Sequence, residues 1–244
     1  MLDVKQWRDY LDYVIAVEND PDAVGLMILT AGEIGIGGIT QILQGDVESV
    51  LIDWQDENGD PPAKKSFDIV NLDFLGGFIG FGGISDDRRV NAFRELFRRQ
   101  AMMKNSFILF LTVGFRESKG QEYDYKLHHI EKELRELGID AEETLGWYLS
   151  HPTKHKIKVY IPFLIDEIAI ANRFHLMKHM CFYYKGSGDV PMMHFAFDFE
   201  YSSEYISPQR LSLVSVLDCP LFMAYPHGVE PCTSRPPQVR KGSK

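Results

Sequence analysis

The sequence predicts an α/β protein: a doubly wound, mostly parallel sheet that ends in an antiparallel hairpin. Two observations carry this. In the first half, short apolar runs of strand length alternate with helical patterns, as βαβ units do. In the second half, two strand-like segments flank a glycine-containing turn, and the later one alternates apolar and polar residues with period two.

Taken in order, Val4, Trp7, Leu11 and Val14 first fall at helical spacing. The first strand is expected over Tyr13–Glu18, and a helix over Asp22–Leu29. A glycine-rich connection then leads into a second strand, Ile39–Asp46. Asp46 is placed to cap a helix running through Leu51. A third strand is expected over Phe67–Asp73. All three strands are short apolar runs that close on a carboxylate: Glu18, Asp46 and Asp73. In open α/β sheets, ligands bind at the carboxyl ends of the strands. Asp73 is the most demanding of the three, because a charge ending a buried strand is costly unless paired or hydrated in a cleft.

Ser85-Asp86-Asp87 reads as a helix start, with Val90, Phe93, Leu96 and Phe97 on one face. The run Phe107–Val113 is apolar throughout, as a strand buried on both faces should be. Residues 116–150 read as a helical insertion, with Leu127, Ile130, Leu134 and Leu137 on one stripe that Gly138 stops. A further apolar helix is expected near Ile157–Arg173. The hairpin follows, Leu176–Tyr184 and Met192–Tyr201, with Phe195, Phe197, Phe199 and Tyr201 on one face. After Pro220 the pattern turns irregular, and 234–244 reads as a disordered tail. One domain over 1–233 accounts for the whole.

With 244 residues, 45% hydrophobic and 25% charged, the composition is that of an ordinary globular protein. No apolar run is long enough for a transmembrane helix, and no membrane partner is expected. Cys181, Cys219 and Cys232 are widely spaced, which suits reduced thiols in the cytoplasm better than a disulfide framework. The eight histidines show no metal-binding spacing, so no metal is expected. A net charge of −9 disfavours a nucleic-acid coat but not an enzyme that touches nucleic acid locally. Arg88, Arg89, Arg94, Arg98 and Arg99 form one basic cluster. It reads either as the solvated face of a helix or as phosphate contacts beside a site.

The three acid-ended strands, in this order and spacing, resemble the class I S-adenosylmethionine-dependent methyltransferases over roughly residues 10–115. The resemblance implies S-adenosylmethionine as cofactor, with Glu18 on the ribose hydroxyls and Asp46, with the Val47 backbone, at the adenine amino group. Vicinal hydroxyls are two donors, which is why a carboxylate suits them. Asp73 would face the reacting methyl as the catalytic residue. Phe74 could stack on a flipped base, as could Phe78, with Arg88 and Arg89 on the substrate side. RNA or DNA is the acceptor this points to. Asp73-Phe74-Leu75-Gly76 is similar to the Asp-Pro-Phe-Gly of the tRNA dimethylguanosine methyltransferases but lacks the proline.

One departure stands out. The family's first strand and its glycine loop should precede Glu18, yet Met1–Tyr13 contain no glycine. Either the reading frame is truncated or the loop is lost. A non-catalytic relative that binds a partner is the alternative to an enzyme. In a rival register, Glu33–Gly38 is the glycine loop and Asp53 the ribose acid. Too little chain then remains before Asp73 for the elements that must follow, since a βαβ unit takes about 30 residues.

Overall fold

The computed structural model describes residues 8–74, 86–116, 123–124, 127–128, 130–136, 138–186, 189–203, 213–225 and 228–232. The chain forms two compact units. One comprises residues 1–66 with 88–99, the other 67–87 with 100–244.

In the first unit, β1 (Val14–Glu18) and β2 (Thr40–Gln44) form a parallel two-stranded sheet, in register from Val14 opposite Thr40 to Glu18 opposite Gln44. The crossover helix α1 (Pro21–Glu33) starts where the local chemistry favours it. Asp20 Oδ1 accepts from the Asp22 amide at 3.0 Å, and Pro21 takes a position whose missing N–H costs nothing. The helix ends as Ile34 N–H bonds Thr30 O, and Gly35 follows at φ +78°, a left-handed turn that suits glycine. A 3₁₀ turn, Gly37–Ile39, leads directly into β2. The glycine cluster therefore sits at the amino end of β2, and Asp53 ends a helix rather than a strand. Both placements remove the rival register. Asp46 caps α2 (Val47–Asp53), and Trp54 closes it at φ +57°. The Arg99 guanidinium lies over the Trp54 ring, 4.3 Å from its centroid.

The second unit holds a mixed six-stranded sheet in the order β3-β4-β6-β5-β7-β8. Its strands are β3 (Ile69–Phe74), β4 (Phe107–Gly114), β5 (Phe174–Lys185), β6 (Pro191–Tyr201), β7 (Leu221–Tyr225) and β8 (Gly228–Pro231). β3–β4 and β5–β7 are parallel; β4–β6, β5–β6 and β7–β8 are antiparallel. The expected single, mostly parallel sheet is corrected on two counts. β1 and β2 form a sheet of their own, and antiparallel pairs predominate in the larger one. The cause lies in the hairpin: β6 inserts between β4 and β5, so its direction opposes both neighbours.

Helix α3 (Asp86–Met103) ends in the second unit, where the buried Gln100 side chain behaves like a strand neighbour. Its Oε1 accepts from Phe67 N at 2.9 Å and its Nε2 donates to Phe67 O at 2.6 Å. This fixes the entry to β3. In the inserted region, α4 (Glu131–Glu136) buries Leu134 beside Leu127 and Ile130, and Gly138 follows at φ +70°. Two helices follow, α5 (Ala141–Ser150) and α6 (Thr153–Ala171). α6 packs on β5 and β6 through residues such as Ile157, Ile161 and Ile165, all with no exposed surface. A short helix, α7 (Leu213–Asp218), precedes β7.

The core of this sheet is aromatic. Phe195, Phe197 and Phe199 stack along β6 with centroids 5.7 and 5.9 Å apart. The two small strands β7 and β8 replace the irregular stretch expected after Pro220. The proposed tail and the Leu75–Ser85 connection, Phe78 included, lie outside the described residues.

Candidate functional site

Glu18 and Asp46 come together at the carboxyl edge of the parallel pair in the first unit. Glu18 closes β1, and its carbonyl accepts from the Gly45 amide at 2.9 Å, one residue before Asp46. The Glu18 carboxylate is held by its own turn, with Oε1 accepting from Asn19 N and Asp20 N, each at 2.9 Å. Oε2 has no partner among the described residues. Asp46 uses Oδ1 for the Ser49 amide at 3.0 Å and the Ser49 hydroxyl at 3.1 Å. It is thus a helix cap as well as a strand-end acid. Val47 is half-buried at the first position of that helix.

The arginines bear directly on the expected phosphate contacts. Arg88 bonds Ser49 Oγ and lies 3.5 Å from Asp46 Oδ1. Arg89 Nε pairs with Glu48 at 2.5 Å, while Arg98 and Arg99 share Glu95 at 2.6 and 2.7 Å. These guanidinium groups are matched by acids of the same unit, so the basic cluster is largely neutralised from within.

Asp73 lies in the second unit. β3 alternates cleanly, with Ile69, Asn71 and Asp73 exposed and Val70, Leu72 and Phe74 buried. Asp73 therefore stands on an open face. Phe74, 5% exposed, points to the other side and belongs to the core rather than offering its ring for stacking. On the open face one register row runs across the sheet from Asp73 to Thr112, His194, Phe182 and Phe222. Residues directly opposite in neighbouring strands share a face, so this row collects side chains far apart in sequence. The Thr112 hydroxyl, buried in an otherwise apolar strand, meets His194 Nδ1 at 2.8 Å. Tyr184 lies two residues beyond Phe182 on the same strand.

Electrostatics set this cluster apart from a solvated strand end. Burial holds His194 below its ordinary pKa, while the Asp73 carboxylate pulls the other way. Burial raises the Tyr184 phenol, with the Asp73 charge adding to the rise. The rings of Phe110 (5.9 Å, nearly parallel) and Phe182 (6.3 Å) flank the imidazole. An imidazole bonded to Thr112 and flanked by aromatic rings, with a carboxylate two strands away in the same row, is a group able to exchange a proton.

Sequence reasoning found Asp73 but missed Thr112, His194 and Tyr184. The only local signals were a hydroxyl inside an all-apolar strand and an imidazole at a polar position of the alternating one. Among the described residues, no group of three His, Cys, Asp or Glu is placed to hold a metal ion. No described helix is long and apolar enough to cross a membrane.

No family model and no curated protein matches the chain. Among solved structures it is similar to precorrin 8W decarboxylase of Methanobacterium thermoautotrophicum. The match has 13% identity and a TM-score of 0.29, and covers 76% of this chain and 69% of that one.

Proposed function

We propose that this chain carries out methyl transfer from S-adenosylmethionine. The observation that carries the reading is the pair Glu18 and Asp46, delivered to one edge by adjacent parallel strands. The residues present suit the nucleoside end of that cofactor. Glu18 Oε2 remains for the ribose hydroxyls, and Asp46 for an exocyclic amine. The bound sulfonium would supply an activated methyl group.

Saturation-transfer NMR, which detects weak complexes, tests the proposal. Transfer to the adenosine protons of S-adenosylmethionine is expected with wild type. Glu18→Ala should weaken binding by about 1–3 kcal/mol, the cost of leaving polar partners unpaired. If wild type gives no transfer at saturating cofactor, the chain is not a methyltransferase, and a non-catalytic binding role replaces it.

A further inference from the structure

We propose that the outward side of α1 is a docking surface for a basic amphipathic helix of a partner protein, one whose apolar stripe is flanked by Lys or Arg. The surface lies wholly within the first unit and needs no methyl transfer.

A surface helix ordinarily turns its apolar stripe inward and its polar residues to solvent. α1 reverses this. Between Asp22 and Glu33 its one polar side chain is Thr30, and that hydroxyl donates to the Leu26 carbonyl at 2.9 Å. The less exposed side is built from Ala23, Val24, Met27 and Ala31. The outward side carries larger residues: Leu26 and Leu29 are each 65% exposed and Ile28 is 56% exposed. Apolar residues exposed singly are ordinary, but a contiguous patch of them marks an interaction site.

Two glycines shape the same side. Gly25 and Gly32 are both exposed and lie seven residues apart, about two turns, so they share one side with Leu29. A Cβ at either would meet nothing within 4 Å, so no described neighbour calls for glycine there. Glycine inside a helix weakens it relative to alanine. What it provides is a shallow notch between Ile28 and Leu29, where the backbone of a second helix can approach closely.

The charges select the partner. Residues 9–63 contain twelve Asp and Glu and no Lys, Arg or His. Arg88 and Arg89 answer Asp46 and Glu48. Asp22 and Glu33 instead stand exposed at the two ends of the apolar stripe, with no ion pair among the described residues. A second copy of this chain would bring like charges together at both ends, whichever way its helix ran, and such juxtapositions disfavour a partner. An anionic membrane would be repelled for the same reason. A helix with cations about 16 Å apart along its axis, the rise from Asp22 to Glu33, meets an acid at each end.

The test uses the intact chain and two fluorescent model helices with the same leucine and alanine stripe, one carrying lysines at both ends and the other glutamates. Anisotropy should show saturable binding of the lysine helix, weakened by added salt. The glutamate helix should bind about tenfold more weakly or not at all. Methyl NMR should place the contact at Leu26, Ile28 and Leu29. Leu26→Gln/Leu29→Gln should lower the affinity by about tenfold or more, with circular dichroism unchanged. Gly25→Leu fills the notch while favouring the helix, so it should weaken binding and leave Tm equal or higher. Equal affinity for the two helices, or binding unchanged in both variants, would overturn the proposal. So would self-association of the chain through these leucines in sedimentation, or their insertion into phosphatidylserine or phosphatidylcholine vesicles.

Discussion

Asp46 shows how one side chain can serve two ends. Its Oδ1 caps α2 through the Ser49 amide, and its charge faces Arg88. Asp46→Ala should cost about 1 kcal/mol in urea unfolding, the usual value of a cap. Asp46→Asn, which keeps the cap, should cost less than half of that. The cysteines separate by burial in a similar way. Cys181 has no exposed surface, and burial pushes its thiol well up, whereas Cys232 is partly exposed. A thiol reagent followed by peptide mapping should label Cys232 in the native protein and Cys181 only after unfolding, since the thiolate is the reactive form.

Among the elements, β6 buries Met193, Phe195, Phe197 and Phe199 on one side, while Asp198 and Glu200 stand exposed on the other. Phe197→Ala should destabilise by about 3–5 kcal/mol, as large aromatic deletions in packed interiors do, and calorimetry checks it. Elements with strong local patterns were legible in the sequence. β1 through β6, α1 and the helix after Asp46 all fall within a few residues of their expected places. Others were not. The insertion reads as one helical stripe, yet α5 forms separately, started by Asp140 accepting from Glu143 N at 2.9 Å. β7 and β8 carried no readable alternation, because β8 is an edge strand exposed at every position. Their pairing partners, not their own sequence, make them strands.

For the molecule as a whole, three histidines of the larger unit predict its behaviour in acid. Burial lowers His155 and His179 to about 4 and moves His194 in the same direction. The unfolded chain binds protons at these sites near its ordinary pKa of about 6.5, so it holds more protons than the native state below that pH. Their stabilising contribution is therefore complete above about pH 6.5 and is lost as pH falls toward 4. Tm should drop across that window, and the slope should flatten in His155→Gln/His179→Gln. By itself the sequence determined β1 to β6 and the helices with strong apolar periodicity, and that an acid lies at or within two residues of the end of each of the first three strands. Periodicity and capping act within a few residues and need no knowledge of the rest of the chain. Only the tertiary structure decided that the strands divide between two sheets and that Arg88 and Arg89 are matched by nearby acids. It alone placed Thr112 and His194 beside Asp73 in one row. Those outcomes depend on register between strands dozens of residues apart, and a shift of one residue would send each side chain to the opposite face.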